Sequence, residues 1–225
     1  MQVGVQPGTL RRVPDRQPSA RLVYDTTKEQ ILSGELSGGT LLSENDVARR
    51  MHVSRTPTRE AFVRLEAEGL LSLLPRRGAV VTPISFSEAL DVLEVREALE
   101  VSAVRRLARR PERLSLLSAA RTELEDQAAH AATSDLAAFA VSDQRFHLAI
   151  VDAAGNALAS RFYASLGDRQ RRMTASAVGA DLHRIAQLLS EHRGLLSHVE
   201  IGDADGFASA LHRHFESTHR VLLGQ

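Results

Sequence analysis

Apolar residues recur at helical spacing over most of the chain. From Ser85 onward they return every three or four positions and are interrupted by glycine or proline, a pattern that predicts amphipathic helices without strands. The predicted helices span residues 85–109, 112–132, 135–153, 157–175, 181–201 and 204–222. Alanine-rich stretches among them favour helix and allow close approach. We therefore expect an all-α antiparallel bundle of six helices.

The segment 42–71 predicts two short helices joined by a tight turn. Ser43 begins a capping-box pattern at the start of the first helix. Ser54 is a suitable N-cap for the second helix, since its hydroxyl can accept a free backbone N–H. Pro57 falls in the first turn, where a missing N–H costs little, and Gly69 ends the helix. The pattern is that of a helix-turn-helix.

A β-hairpin is predicted directly after this helix pair. Two short apolar runs, 70–74 and 79–81, flank the sequence Pro-Arg-Arg-Gly. A hairpin in this position is a wing, and its tip carries Arg76 and Arg77. These arginines could contact phosphate or reach the minor groove of DNA.

Arg55 and Arg59 lie four residues apart at the start of the second helix and therefore share one face. A helix-turn-helix uses this position to place side chains in the major groove. Helix pairs of this kind also occur in proteins that never bind DNA, but the basic hairpin favours DNA binding. The charge agrees, because residues 1–83 carry 12 basic and 9 acidic side chains, whereas the rest carries 16 and 19.

Residues 22–83 resemble the winged helix-turn-helix of the GntR family of bacterial transcription regulators. The resemblance is carried by ILSGELSGGTLLSENDVARRMHVSRTPTREAFVRLEAEGLL and by the wing PRRGAVV. It implies DNA contacts from five residues of these segments: Arg55, Thr56, Arg59, Arg77 and Gly78. Asn45 stands where the family often has arginine; it can still hydrogen-bond DNA, but operator preference would differ.

Composition limits where the protein acts and how it is organised. The chain of 225 residues is 43% hydrophobic and has no cysteine, which excludes disulfides and thiolate metal sites. It has no apolar run of about 18 residues and no secretory signal, so we expect a cytoplasmic protein without membrane contact.

The expected organisation is a mainly α chain with three parts: a disordered tail (1–19), a winged helix-turn-helix domain (20–83) and a helical effector-binding and dimerisation domain (84–225).

A possible metal site lies in the second half. Asp143 and His147 are four residues apart on one helix, a spacing that lets two side chains hold one metal ion. His192 and His214 each lie beside apolar residues on other predicted helices. Three imidazoles and a carboxylate could thus converge, although a single histidine in such a position is more often a hydrogen-bonded core residue.

Residues from about 86 to 222 resemble the FCD effector domain of the FadR subfamily. The resemblance is carried by DVLEVREALEVSAVRRLA, DQRFHLAIVDAAGN and SEHRGLLSHVEIGDADGFASALHRHF. It implies a divalent metal held by Asp143, His147, His192 and His214. Zinc best suits this mixed nitrogen and oxygen set, and nickel or manganese are also suitable. His212 is expected to be exposed.

Arg96 is the predicted partner of an effector carboxylate, because an arginine in an apolar helix needs an anion or acceptor. The alternative is an internal salt bridge with Glu97 or Glu100. The resemblance implies a homodimeric regulator, in most members a repressor, that binds double-stranded operator DNA and responds to a small organic acid. Two other interpretations stay open at this point: a purely structural metal without an effector, and a metal-dependent hydrolase.

Overall fold

The computed structural model describes residues 16–179 and 182–219. The described residues form helices and short strands in the order α1 (Arg16–Leu32), β1 (Leu41–Leu42), α2 (Glu44–Arg50), α3 (Arg55–Ala67), β2 (Leu71–Leu74), β3 (Gly78–Val81), α4 (Phe86–Leu107), α5 (Arg113–Leu116), α6 (Ser118–Thr133), α7 (Leu136–Ala153), α8 (Ala157–Ser165), α9 (Gly167–Val178), α10 (Leu182–Ile201) and α11 (Ala204–His219). The predicted fold class is confirmed: the chain is mainly α, with a small sheet near its N-terminal side.

The described chain divides into two compact units. The first contains the described residues up to Lys28 together with Leu41–Val80, and the second contains Glu29–Thr40 and the described residues from Val81 onward. Residues 29–40 cluster with the second unit, and the domain bounds expected from the sequence stay a prediction. The helix α1 begins at Arg16, so residues 16–19 are helical rather than part of the expected tail; residues 1–15 lie outside the described residues.

The helix-turn-helix forms as the sequence predicts, with one difference at a cap. The Ser43 hydroxyl accepts the backbone N–H of Asp46 at 3.4 Å, which caps α2. Ser54 occupies the N-cap of α3, but its hydroxyl makes no capping hydrogen bond. Instead, the buried Thr58 hydroxyl donates to the Ser54 carbonyl at 3.2 Å. The start of α3 is therefore fixed by a hydrogen bond on its buried side. Its exposed face makes no capping hydrogen bond through Ser54.

Gly69 ends α3 with a left-handed residue, as predicted. Its φ is +73°, and its N–H donates to the Glu66 carbonyl, while the Leu70 N–H donates to the Leu65 carbonyl. These two bonds form a Schellman motif, which satisfies carbonyls that the helix end would leave free. The chain then turns directly into β2.

The predicted wing is present, and a third strand joins it. The sheet order is β1-β3-β2, with Leu41 opposite Val80 and Leu42 opposite Ala79 in an antiparallel pair. The strand β1 was not predicted, because two residues are too short to show alternation. Gly78 has a φ of +104°, and a Cβ there would collide with the Leu42 carbonyl oxygen. The close approach of β1 to the wing therefore requires glycine at this position.

A polar contact fixes the first part of α1 against the end of α3. The Tyr24 hydroxyl donates to the Glu68 carboxylate at 2.6 Å, and Lys28 Nζ donates to the same group at 2.8 Å. The Arg64 guanidinium lies 3.7 Å from the centroid of the Tyr24 ring, a cation–π contact. This contact orients α3 within its unit.

The second unit is a helical bundle with α7 at its centre. The helix α7 packs against α4, α6, α8 and α9, and α11 packs against α4, α9 and α10. The core is mainly aliphatic and includes the fully buried Leu107, Ile150 and Leu211, with Phe146 and Phe207 among them. None of the described helices is both long and apolar enough to cross a membrane.

Two of the six predicted bundle helices are broken in the structure. The predicted helix 112–132 is divided at Leu117, which is fully buried, into α5 and α6. The predicted helix 157–175 is divided at Leu166 into α8 and α9. At the second break Gly167 lies against the Gln144 side chain of α7, so a larger residue would be tight there. The last predicted helix continues to His219, and residues 220–222 lie outside the described residues.

Candidate metal centre and nucleic-acid interface

The four predicted ligand side chains come together inside the helical unit. One ring nitrogen from each of His147, His192 and His214 lies within 4.8 Å of the others. Asp143 Oδ1 lies 3.3 Å from His192 Nε2 and 4.0 Å from His147 Nε2. All four side chains are buried. Side chains from α7, α10 and α11 thus meet at one point. The spacing in the sequence could not decide whether they would meet.

Each of these imidazoles is held in place through its Nδ1 atom. In every case Nδ1 lies within hydrogen-bond distance of an acceptor on another helix: His147 with Glu100 Oε2 at 2.7 Å, His192 with Gln127 Oε1 at 2.6 Å, and His214 with Glu191 Oε2 at 2.7 Å. If each Nδ1 carries the proton, each Nε2 presents a lone pair. Metal-binding histidines in proteins are oriented by this kind of contact.

The inward-facing nitrogens lack the partners that buried polar atoms normally have. His147 Nε2 and His192 Nε2 are buried and make no hydrogen bond with any described residue. Buried polar atoms without a partner are costly and rare in native proteins. A divalent cation between the rings would supply the missing interaction, so the residues present fit a metal ion.

The protonation states also suit a cation. Burial lowers the pKa of His147, and burial together with the neighbouring His214 lowers the pKa of His192 well below its usual range. Burial alone would raise the pKa of Asp143, but the imidazoles of His192 and His147 outweigh it and lower that pKa. The Thr174 hydroxyl also donates to Asp143 Oδ2 at 3.0 Å. Neutral imidazoles beside a carboxylate are the forms that bind a divalent metal.

Removing the acceptor behind one imidazole should weaken metal binding without removing a ligand. We expect Gln127→Leu to lower the affinity for Zn²⁺ by about 10- to 100-fold, because His192 loses the contact that fixes its ring. Competition with a chelating dye measures this affinity. Gln30→Leu, which removes a contact with Glu35 remote from the imidazoles, serves as the control. Equal affinities for Gln127→Leu and Gln30→Leu would show that this contact has no role.

Arg96 adopts the geometry of the internal salt bridge. It is 1% exposed, its Nε donates to Glu100 Oε1 at 3.2 Å and to Tyr163 Oη at 3.1 Å, and its guanidinium carbon lies 4.5 Å from the Phe215 ring centroid. Glu97, the other possible partner, lies near His212 at the surface. Arg96 Nη2 is 3.2 Å from Glu100 Oε1 but is not aligned for a hydrogen bond. This nitrogen keeps a free donor, and the effector role of Arg96 stays a prediction.

Sequence reasoning named Glu100 only as a possible partner of Arg96, not as the acceptor behind His147, and it missed Gln127 and Tyr163. Glu100 had a usable signal, because a carboxylate four residues after Arg96 in an apolar helix suggests a buried pair. Its pKa falls to about 2, because His147 and Arg96 outweigh the effect of burial. Gln127 and Tyr163 had no comparable signal: one lies in a polar, alanine-rich segment and the other contacts Glu100 across 63 positions of the chain.

The predicted DNA-contacting residues of α3 lie on an open face of the first unit. Arg55, Thr56 and Arg59 are exposed and line a shallow groove of about 560 Å³ together with acidic and apolar neighbours. The Arg55 side chain is 70% exposed, and among the described residues its one ion pair is with Glu44, at 3.7 Å. These side chains are therefore free to reorient toward a ligand without disturbing the core.

The wing tip lies beside the starts of α2 and α3. A depression of about 130 Å³ is lined by Asn45, Arg55, Arg76, Arg77 and Gly78, with Ser43, Glu44 and Leu74. All six predicted DNA-contacting residues therefore line two depressions that share Arg55 and Glu44. The direct role of Gly78 in the structure is to allow the close strand contact described above, while Arg77 is exposed.

Comparisons with known proteins agree with this architecture. Residues 19–81 match the model described as "Bacterial regulatory proteins, gntR family", and residues 91–217 match that of the FCD domain. The transcriptional repressor RspR of Escherichia coli K12 is 29% identical over 89% of this chain and 87% of its own. The gluconate operon transcriptional repressor of Bacillus licheniformis is 28% identical over 83% and 78%, respectively.

Among solved structures, a GntR transcriptional regulator from Rhodococcus sp. RHA1 has the same fold. Its TM-score is 0.73 at 21% identity, covering 92% of this chain and 98% of that one. The matched models, the named relatives and the winged helix-turn-helix agree with one another and point to regulation of transcription rather than to an enzyme. The protein is a transcription regulator that belongs to the GntR family and carries an FCD domain.

Proposed function

We propose that this regulator is a repressor that binds operator DNA as a dimer and leaves it when a small carboxylate binds at a metal centre. The observation that carries the proposal is the set of inward-facing imidazole nitrogens without partners in the helical unit. The relatives named above as repressors support the proposal that this regulator is a repressor. The helix-turn-helix, which the GntR family uses to bind DNA, supports the operator.

The DNA-binding part of the proposal rests on α3 and the wing. Arg55 and Arg59 lie in the first two turns of α3, where a helix-turn-helix contacts base edges in the major groove. Arg77, at the wing tip, would contact the backbone or the minor groove. Asn45 lies in the same depression as Arg55 and Arg77, where its amide can hydrogen-bond a phosphate or a base.

Exposed apolar side chains support a homodimer. Phe86 and Leu90 lie four residues apart on α4, and Leu158 and Phe162 lie four residues apart on α8; all four are between 43% and 59% exposed. The two helices pack against each other. Apolar pairs left exposed on neighbouring helices are typical of a surface that a second subunit covers. A dimer would also present two copies of α3 to the two halves of an operator.

The proposed metal is a divalent ion, with zinc the best match to three imidazoles and one carboxylate. Asp143, His147, His192 and His214 would hold it, and the contacts through Nδ1 would orient the three rings. When bound, the ion would provide a Lewis-acidic position for one carboxylate oxygen of the effector. Arg96, with its free Nη2 donor, would contribute a hydrogen bond to the same ligand.

The helix α9 offers a physical route from this site toward the DNA-binding unit. On one side its Gln170 and Thr174 donate to the carboxylate of Asp143. Arg172 of the same helix donates to the carbonyl of Thr82, in the segment that leads back to the wing. A shift of Asp143 on ligand binding would therefore change the position of α9 and of this segment. Ligand binding and operator binding would then be coupled reciprocally.

A second candidate function is a regulator with a structural metal and no effector. It is favoured by the internal pairing of Arg96, whose Nε already bonds Glu100 and Tyr163. In this case the ion would stabilise the bundle and nothing would bind beside it. The two candidates differ in their response to organic acids.

Fluorescence anisotropy of labelled operator DNA distinguishes the two candidate functions. The operator is obtained by selecting duplexes from a random library with the parent protein. Organic acids added to the zinc-loaded dimer should weaken operator binding about 5- to 150-fold, the usual range of allosteric coupling, and a chelator should abolish the response. If the acids change neither operator affinity nor thermal stability while the chelator lowers stability, the structural-metal function is correct instead.

A further inference from the structure

A cavity separate from the metal centre lies between α9 and the segment 31–38. Its volume is about 390 Å³, near the lower end of the range for small-molecule pockets. The described residues that line it come from α9, from the segment 31–38 and from the segment 83–84, and all belong to the second unit. None of these lining residues is a predicted metal ligand, so the cavity is a feature of its own.

Backbone contacts hold the walls of this cavity in place. The Gly39 N–H donates to the Val81 carbonyl at 2.8 Å, and the Val81 N–H donates to the Thr40 carbonyl at 2.9 Å. A Cβ at Gly38 would lie 2.8 Å from Pro83 Cα, so the close approach of these two segments favours glycine. The cavity is therefore formed before any ligand binds, as is usual for small-molecule sites.

Arg172 is the one charged side chain among the described residues that line the cavity. It is 8% exposed, and its Nη2 donates to the carbonyl of Thr82. Its Nε and Nη1 make no hydrogen bond with a described residue. A carbonyl oxygen is neutral, so this contact satisfies one donor and leaves the positive charge unbalanced.

Two other arginines of α9 show what Arg172 lacks. Arg169 pairs with Glu88 at 3.3 Å, and Arg171 pairs with Glu29; their side chains are 49% and 15% exposed. Arg172, which is more buried than either, is the one of the three without an ion pair to a described residue. The arginine that most needs a counter-charge is therefore the one that faces the cavity.

The buried guanidinium calls for an anion. Burial lowers the pKa of Arg172, and the nearby carboxylates of Glu88 and Asp168 offset this effect only in part. A guanidinium still stays protonated at neutral pH, and a buried charge without a partner is strongly disfavoured. A planar carboxylate matches the donor geometry of arginine and would supply the missing partner.

The rest of the wall limits the kind of anion. One positive charge balances one negative charge, and a second carboxylate would be left without a partner. Several apolar side chains line the cavity beside Arg172: Ile31, Leu36, Pro83 and Ile84. A ligand that fits must therefore combine one carboxylate with an apolar body.

We propose that this cavity binds a small monocarboxylic acid with an apolar body. The carboxylate accepts hydrogen bonds from Arg172, and the body packs against Ile31, Leu36 and Ile84. The site needs no metal ion and shares no described lining residue with the metal centre. It is therefore a second binding site, which goes beyond the proposed function.

Isothermal titration calorimetry on the zinc-loaded full-length protein tests the class of ligand. Benzoate, cyclohexanecarboxylate and hexanoate are each compared with the corresponding amide, which has a similar shape and no charge. Acetate has the charge without the apolar body. We expect at least one of the three acids to bind at least tenfold more tightly than its amide and than acetate, because a hydrogen bond between charged groups is stronger than a neutral one. A chelator should change this affinity by less than about twofold.

Three variants test the residues with the tightest-binding acid. Arg172→Met removes the guanidinium and keeps an apolar stem, and it should weaken binding at least tenfold. Ser176→Phe should do the same with Arg172 intact, because Ser176 lines the cavity and is exposed, so a larger side chain there fills the space. Arg169→Met is the matched control: it removes the same charge from α9 but does not line the cavity, and it should bind within about twofold of the parent. Thermal unfolding confirms that each variant is folded, and if Arg172→Met is not, Ser176→Phe decides.

The outcomes separate this inference from the proposed function. If no acid binds more tightly than its amide, or if the folded Arg172→Met or Ser176→Phe variant binds like Arg169→Met, the cavity is not an acid-binding site. If a chelator abolishes binding of the acids, they bind only at the metal centre; this inference is then wrong and the proposed function stands. If the acids bind with and without chelator but do not change operator affinity, the cavity site stands and the proposed function fails.

Discussion

Replacing Arg55 or Arg59 by alanine should weaken operator binding of the dimer by about thirtyfold or more. Each arginine placed on a base edge contributes about 1–3 kcal/mol, and a symmetric operator contains each contact twice. Both side chains are exposed on α3, and the only ion pair that Arg55 makes in the described structure is the long contact with Glu44. The loss should therefore appear in DNA affinity and not in stability. Fluorescence anisotropy with the selected operator measures the first, and thermal unfolding the second.

The control for this experiment removes the same charge elsewhere. Arg105 lies on α4 in the second unit; its side chain is 60% exposed, and its one ion pair with a described residue is a long contact of 3.8 Å to Asp205. Arg105→Ala should bind the operator within about twofold of the parent, because Arg105 lies outside the winged helix-turn-helix and salt screens its exposed charge. If Arg55→Ala and Arg59→Ala retained the affinity of Arg105→Ala, the α3 face would not be the DNA-reading surface.

The second large effect concerns two histidines that lie two residues apart on α11. We expect His214→Ala to lose most of its bound metal and His212→Ala to keep about one ion per chain. His214 is buried among the other imidazoles, whereas the His212 side chain is 58% exposed and lies near Glu97 and Glu216. Elemental analysis after dialysis against a zinc buffer of fixed free concentration measures the difference.

Thermal unfolding of the same pair gives an independent result. A ligand present at 100 to 1,000 times its dissociation constant raises the free energy of unfolding by about 3–4 kcal/mol. For a chain of this size this raises Tm by roughly 6–16 °C. The His212→Ala variant should show this increase on addition of zinc, and His214→Ala should not. An equal zinc-dependent increase in both variants would exclude His214 as a ligand.

The parts of the fold that depend on local pattern were predictable from the sequence. Gly69 ends α3, Ser43 caps α2, and the wing follows, because each of these features is determined by a few adjacent residues. The two-residue strand β1 was not predictable, since its existence depends on pairing with β3 far along the chain. The break at Leu166 was missed because helical spacing continues across it.

For the candidate metal centre the sequence indicated the ligands but not their supports. Asp143 and His147 have a local spacing, and His192 and His214 lie in apolar stretches that place them inside the bundle. Their supporting contacts join residues 23 to 65 positions apart, such as Gln127 with His192. Contacts between residues so far apart leave no pattern among neighbouring positions of the sequence.

The most direct test of the metal centre is an anomalous difference map from a crystal of the zinc-loaded protein, recorded on both sides of the zinc absorption edge. The expected result is one peak per chain, within about 2.0–2.2 Å of the three Nε2 atoms and of an Asp143 oxygen. A zinc peak bound elsewhere, with the three imidazoles instead linked by water, would contradict the assignment.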